Sequence, residues 1–374
     1  MPLQLIGIGG LGLMLSPAAR HLRKADSPAK FLRIHDRGTR DPRRDRARNG
    51  WREHGAELVS TFDALVGDGR FDGVIICAGK NGDDVTIFRE LLPLLRDRCP
   101  DPPFILHLST VSSRFVQAAH EVCREYHIAY GNYPLTGGPA GAEAATMLIL
   151  ASGDPILYER TKSLLQALGR PRYFGERVTA GAEVKLMGQF MVFNGLNGIS
   201  SAAALHAACF GVSVGDPQQS EFFEFLNQGA GGTRQWEVAL SKGIRDRVWD
   251  EGFMLHHAVV DALYAAQLGL EKGLALYSVM PMIHTAISFA FLLQKYPNQS
   301  LATHAIAREL LEPHRRELDR FFQQILNQGS EAEQWLQQCV AHLPDRIRET
   351  VKMDIGVTDF KISRDPAQGQ RTPT

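Results

Sequence analysis

No surplus of charge marks this sequence. Lys+Arg and Asp+Glu both number 41 in 374 residues, so the formal net charge is zero. That removes the global field that steers a protein toward nucleic acid or an anionic membrane, and neither is expected as a partner. It also leaves self-association unopposed, so a homodimer or larger homo-oligomer is expected. Cysteine is scarce and scattered: Cys77, Cys99, Cys123, Cys209 and Cys339 form no C-x-x-C pair and are odd in number. They read as reduced thiols of a cytoplasmic protein and exclude a disulfide framework. H-E-x-x-H is absent and the 13 histidines do not pair with acids at ligand spacing, so no metal site is expected. G-x-S-x-G is absent too, which excludes the nucleophile elbow of serine hydrolases. Residues 1–6 lack the basic start of a signal peptide. The most apolar stretches, 190–212 and 278–293, are interrupted by Asn194, Asn197 and His206 and by Pro281 and His284. They read as buried core helices, not membrane spans. No internal repeat or long low-complexity tract occurs.

What the sequence does contain is alternation. Short apolar runs at 3–8, 31–35, 73–77, 104–108, 128–130 and 147–151 predict strands. Helical spacing falls between them at 13–24, 85–95 and 115–125. The pattern predicts an α/β, Rossmann-type doubly wound sheet with helices on both faces. Near residue 179 the texture changes. Apolar and small residues then run without proline to about 210, a single long helix of roughly 45 Å. Helical patterns follow at 218–227, 253–268, 278–294, 303–328 and 331–342. The expected organisation is a nucleotide-binding domain over 1–177, joined by the long helix to an all-α domain over 178–362 that forms the substrate cleft and the oligomer contacts. A loose tail occupies 363–374.

The first chemical signal is Gly7-Ile8-Gly9-Gly10-Leu11-Gly12. A G-x-G-x-x-G run that leaves a strand and opens a helix is the dinucleotide fingerprint. In that reading Gly7 permits the tight turn, Gly9 lets the backbone approach a pyrophosphate, and Gly12 lets the helix pack on the sheet, with Gly10 and Leu11 completing the cradle. The helix N-terminus then meets the phosphates with free N–H groups. Asp36 ends the second strand, where a carboxylate accepts hydrogen bonds from the adenosine ribose and repels a 2′-phosphate. That leans to NAD. Arg37, Thr39, Arg40, Arg43 and Arg44 supply cations and a hydroxyl where a 2′-phosphate would lie, so NADP stays open. Ala78 and Gly79, with Lys80 and Asn81, follow the third strand; Ser109 and Thr110 follow the fourth. Both loops lie at carboxyl ends of strands, where ligands bind in open α/β sheets, and Ala78, Gly79 and Thr110 are expected along the cofactor.

Three later segments add to this: Tyr133-Pro134-Leu135-Thr136-Gly137-Gly138-Pro139-Ala140-Gly141-Ala142, Gly181-Ala182-Glu183-Val184-Lys185-Leu186-Met187-Gly188-Gln189, and Gly252-Phe253 with Asp261 downstream. Together with the glycine cradle and Leu108-Ser109-Thr110, the chain resembles the β-hydroxyacid dehydrogenase family. That family includes 3-hydroxyisobutyrate dehydrogenase, tartronate semialdehyde reductase and the phosphogluconate dehydrogenases. The resemblance runs in order from residue 3 to about 290. It implies that Thr136, Gly137 and Gly138 hold a substrate carboxylate, that Lys185 is the catalytic acid/base, that Gln189 stands where the family orients substrate with an asparagine, and that Asp261 lies on the cofactor side. The chemistry agrees: hydride transfer to a carbonyl develops negative charge on oxygen, which a lysine ammonium stabilises and protonates. Oxidation needs Lys185 neutral, so its pKa must fall from about 10.4.

The chain also departs from the family. Thr136 replaces a serine, Gln189 an asparagine, and Ala145 a common glycine. Val260 stands where the family carries lysine, before Asp261. His256 and His257 lie nearby, either as partial substitutes or as packing histidines. The resemblance implies hydride transfer between a nicotinamide cofactor and a small 3-hydroxy or 3-oxo carboxylate. An imine reductase of the same architecture and a non-catalytic NAD(P)-binding sensor are the alternatives.

Overall fold

A computed structural model describes residues 1–38 and 41–361. Thr39, Arg40, the Arg43 side chain and the expected tail 363–374 lie outside what is described. Six parallel strands, β1 (Leu3–Ile8), β2 (Ala29–His35), β3 (Glu57–Val59), β4 (Gly73–Ile76), β5 (Phe104–His107) and β6 (Tyr130–Asn132), form one sheet in the order β3-β2-β1-β4-β5-β6. The order reverses between β1 and β4, and their carboxyl ends open a crevice there.

Successive side chains of a strand point to opposite faces, and the two faces hold different cores. Leu5, Ile75 and Leu106 pack on one side with Trp51, from α2 (Asp45–His54), and with Ala18 and Ala19, from α1 (Ala18–His21). Ile6, Ile76 and Ile105 pack on the other with Leu65, Phe88 and Phe115, from α3 (Phe62–Val66), α4 (Asn81–Arg98) and α5 (Ser113–Glu125). Apolar residues on both faces explain why these strands read as near-continuous apolar runs. A second, three-stranded sheet follows: β7 (Leu135–Thr136), then α6 (Gly138–Glu143), β8 (Met147–Ala151), α7 (Pro155–Leu168) and β9 (Gly169–Tyr173).

The rest is helical. α8 (Ala180–Phe210) runs for 31 residues and is followed by α9 (Gln218–Leu226), α10 (Ser241–Ile244), α11 (Leu255–Glu271), α12 (Leu276–Lys295), α13 (Arg315–Leu326), α14 (Ala332–Ala341) and α15 (Asp345–Val351). α12 is long and apolar enough by composition to cross a membrane, yet Val279, Met282, Ile283, Ala286 and Ile287 are buried in the core it shares with α8 and α11. Beyond α15 the chain returns to the large sheet, where Phe360 packs 5.8 Å from the Phe88 ring and 5.2 Å from that of Phe115.

Three expectations need correction. The helix expected over 13–24 is only α1; turns fill the stretch from Gly10 to Pro17. Pro17 has no N–H for the carbonyl of residue 13 and disfavours helical geometry at Ser16. The helix expected over 303–328 is a 3-10 segment, Thr303–Glu309, followed by α13, because Pro313 interrupts the ladder. The strand expected at 128–130 begins at Tyr130, since the Ile128 N–H donates to the Cys123 carbonyl at the end of α5.

Candidate active site

The glycine turn leaves β1 at the carboxyl edge of the sheet. Its left-handed residue is Gly9, at φ +81, not Gly7. A Cβ on Gly9 would stand 2.1 Å from the Cys77 carbonyl oxygen after β4, so this position needs glycine for both its dihedral and its space. Gly7 is still in β1, over Phe31 and Ile34, and the Gly10 carbonyl accepts from Trp51 Nε1 at 2.7 Å. The Gly12 N–H donates back to Gly9 at 2.9 Å, whereas the N–H groups of Gly10 and Leu11 meet no protein acceptor among the described residues. Two free amides beside a cleft-edge glycine turn fit a pyrophosphate. They come from a turn and not from a helix N-terminus, which is a second consequence of Pro17.

Asp36 lies just past β2. Its carboxylate accepts from Arg48 Nε at 2.8 Å, Arg48 Nη2 at 3.2 Å and the Gly38 N–H at 3.0 Å. The Arg48 guanidinium holds it below the ordinary carboxylate value. Arg48, on α2, was not among the arginines singled out from the sequence, and Arg37 is exposed beside it. Asp36 thus keeps acceptor capacity for a ribose hydroxyl inside a locally basic setting. Ala78 donates its N–H to Ser109 Oγ at 3.2 Å, tying together the loops after β4 and β5 that carry Gly79 and Thr110.

The helical region meets this edge through α8. The Gly181 N–H donates to Ser152 Oγ at 2.8 Å, and a Cβ on Gly181 would stand 2.2 Å from the Leu150 carbonyl oxygen of β8. Only glycine lets the first turn of α8 come so close to the strand. One turn later stands Lys185, half-buried, and a further turn on Gln189, buried on the same face. Gln189 Nε2 donates to Asp261 Oδ2 of α11 at 2.6 Å. Lys80, at the start of α4, donates through Nζ to Asp261 Oδ1, with the Thr110 carbonyl 3.5 Å away. Lys80 and Asp261 are 7% and 3% exposed, a buried ion pair. Desolvation pushes the Lys185 amine below its ordinary value; Asp261 opposes that shift and Lys80 adds to it.

Lys185, Gln189 and Asp261 are therefore brought together. Asp261 pairs with Lys80 directly and acts on Lys185 through its charge, which the expected cofactor role had not included. Thr136, Gly137 and Gly138 sit at the β7–α6 junction, Gly137 and Gly138 at φ +126 and +66; among the described residues no hydrogen bond ties them to the lysine cluster. Val260 is fully buried in the helical core. The His256 and His257 rings lie 4.1 Å apart between centroids, tilted by 50° to each other. Desolvation first, then the Lys80 charge and His256, lower His257, so it stays neutral and does not replace the missing cation. Lys80 was placed along the cofactor by sequence; its partner on α11 was missed. The available signal was a lysine at the carboxyl end of β4 in a chain lacking one at 260.

Residues 5–181 match the profile of the NAD-binding domain of 6-phosphogluconate dehydrogenase. The chain is 28% identical over 199 residues to the NAD-dependent L-serine dehydrogenase of Pseudomonas aeruginosa, covering 51% of this chain and 63% of that one. It is 25% identical over 179 residues to 2-(hydroxymethyl)glutarate dehydrogenase of Eubacterium barkeri, covering 48% and 57%. The matched stretch thus spans about three fifths of those relatives' own length. In fold it is similar to the crystal structure of 3-hydroxyisobutyrate dehydrogenase from Salmonella typhimurium, at a TM-score of 0.67 and 19% identity over 82% of this chain and 99% of that one.

Proposed function

We propose, from the premise that the chain belongs to the β-hydroxyacid dehydrogenase family and that its residues 5–181 form the NAD-binding domain found in 6-phosphogluconate dehydrogenase, that the protein transfers a hydride between a nicotinamide cofactor and a small 3-hydroxy or 3-oxo carboxylate. The observation that carries this is the half-buried Lys185 amine, lowered by desolvation, on the α8 face it shares with Gln189 and within the field of the Asp261–Lys80 pair. The bound nicotinamide supplies or accepts the hydride. In oxidation, neutral Lys185 takes the proton of the substrate hydroxyl; in reduction, its ammonium returns that proton to the oxygen. Gln189, anchored on Asp261, holds a fixed amide plane one turn from Lys185. The Thr136 hydroxyl and the amides at Gly137 and Gly138 take the substrate carboxylate. L-serine, named for one relative, is itself a 3-hydroxy carboxylate.

A panel of 3-hydroxy acids and their 3-oxo counterparts, with one cyclic imine, read by nicotinamide absorbance with NAD and with NADP, tests this. We expect turnover of a hydroxy acid, and NAD favoured because Asp36 retains its carboxylate toward the ribose. Turnover of the imine alone assigns the protein to the reductase alternative. No turnover of any member, with cofactor bound, assigns it to the sensor alternative. The five free thiols suit a reducing compartment such as the cytoplasm.

We also read the outer face of α8 as the contact for a second copy. Met187, Met191 and Leu205 are 57–78% exposed along it, large apolar side chains on the helix whose other face holds Lys185. Light scattering is expected to give twice the chain mass of 41.4 kDa, and Met191→Lys with Leu205→Glu to give the chain mass. A wild-type monomer contradicts the assignment.

A further inference from the structure

Lys80 is the one lysine besides Lys185 in the cluster, and the fold goes to some length to hold it there. It is the residue before α4, in extended geometry (φ −124, ψ −176), with its side chain turned across the cleft to α11. The next residue, Asn81, is fully buried and bonded on every side. Its N–H donates to Tyr264 Oη at 3.1 Å, and its Nδ2 to Ser112 Oγ at 2.8 Å and to the Lys352 carbonyl at 3.0 Å. Its Oδ1 accepts the Ser112 N–H at 3.0 Å. Tyr264, three residues beyond Asp261 on α11, donates in turn to the Val351 carbonyl at 2.7 Å. The returning C-terminal segment therefore clamps the loop that carries Lys80 to the helix that carries Asp261. A buried lysine is retained only when paired, and this one is paired across the two halves of the site.

We propose that Lys80 is a positioning residue of this active site: on the β4–α4 loop it supplies the cation that Val260 does not, and by binding Asp261 it keeps that carboxylate from capturing Lys185.

The proposal rests on Lys185 being the acid/base. The charged groups acting on Lys185 are Asp261 from α11 and Lys80 from the β4–α4 loop; His256 and His257, earlier on α11, lie near Lys80, with Arg346 of α15 near His256. On α8 itself Glu183 is already engaged by Arg177 and Lys272. His256 and His257 are lowered and neutral, so the balance at Lys185 is set by one anion and one competing cation. With Lys80 in place Asp261 is neutralised, and desolvation governs Lys185. Without it the buried carboxylate has one remaining ammonium to pair with, and Lys185 is trapped as the acid.

The test reads Lys185 directly. The full-length protein is labelled with acetic anhydride across a pH series, and acetylation in the peptide holding Lys185 is followed by mass spectrometry against free lysine as internal standard. In wild type the inflection is expected below that of the standard. Lys80→Met is expected to raise it by about one unit or more, while Lys80→Arg, which keeps the charge, stays near wild type. Asp261→Asn, which removes the anion by the opposite route, does not raise it, so the proposal stays testable if Lys80→Met fails to fold. Coincident curves for Lys80→Met and wild type overturn the proposal, as does a rise in Asp261→Asn or a wild-type inflection equal to the standard. Failure of the functional reading is distinguishable: the labelling shift persists while no hydroxy acid is turned over.

Discussion

Lys185→Ala is expected to lower kcat by at least about 10³-fold while leaving NAD affinity within about twofold. Positioned proton transfer alone contributes typically 10²–10⁴-fold, and the same ammonium also meets the charge that develops on the substrate oxygen. Both are lost together in alanine. The cofactor contacts drawn above come from the turn after β1, from Asp36 and from the loops after β4 and β5, none of which includes Lys185, so binding should survive. Lys185→Arg sharpens the test. It keeps a cation but cannot shed the proton, so oxidation should stay as dead as in alanine, since arginine is not deprotonated in proteins. The pH dependence has a definite sign. Desolvation lowers the Lys185 amine, the neutral amine is the base, and oxidation should therefore rise with pH through that lowered pKa while reduction falls. The checks are steady-state kinetics with the best acid of the panel and fluorescence titration of NADH. Turnover within tenfold of wild type in Lys185→Ala would sink the assignment.

That lysine was legible in the sequence because it lies on a long proline-free helix, in a run shared with a family, one turn before an amide. The strands were legible because burial on both faces leaves an apolar run with few interruptions. What escaped reading depended on contacts between distant parts of the chain. Lys80 and Asp261 are 181 residues apart in sequence, and nothing at either position announces the other. Arg48 reaches Asp36 from a helix whose place against β2 is set by Trp51 and Phe31, in ring contact at 4.9 Å. The return of residues 351–360 to the sheet carries no pattern stronger than a few scattered apolar residues such as Phe360, and its ties to Asn81 and Tyr264 are made by backbone carbonyls, which any sequence supplies. The miss after the cradle is of another kind. Pro17 stood in plain view, but the fingerprint's usual strand–glycine–helix order outweighed it, and the local rule of proline prevailed in the fold.

The second large effect is expected at the cradle, where two glycines should both lose cofactor affinity but only one should lose stability. Gly9→Ala forces a side chain into a backbone at φ +81 and sets its Cβ 2.1 Å from the Cys77 carbonyl oxygen. That obstacle is main chain continuing a central strand, so it cannot swing aside as a flexible side chain would. Left-handed strain at a non-glycine residue costs on the order of 1–3 kcal/mol, and separating β1 from the β4 loop adds to it. We expect a clear fall in thermal midpoint and loss of NADH binding by about 100-fold or more. Gly12→Ala meets only the Gly9 carbonyl oxygen, at 3.2 Å, and otherwise open space. Its stability should change by no more than about 1 kcal/mol, near the ordinary glycine-to-alanine difference. A methyl at that mouth still stands in the way of a pyrophosphate seated on the Gly10 and Leu11 amides, so NADH affinity should fall although the fold is intact. Thermal unfolding and fluorescence titration of the two variants side by side decide the matter. Wild-type stability in Gly9→Ala would refute the turn geometry. Wild-type NADH affinity in Gly12→Ala would move the pyrophosphate away from this turn. The fingerprint's first demand is then a demand of the fold at Gly9, and its last is a demand of the ligand at Gly12.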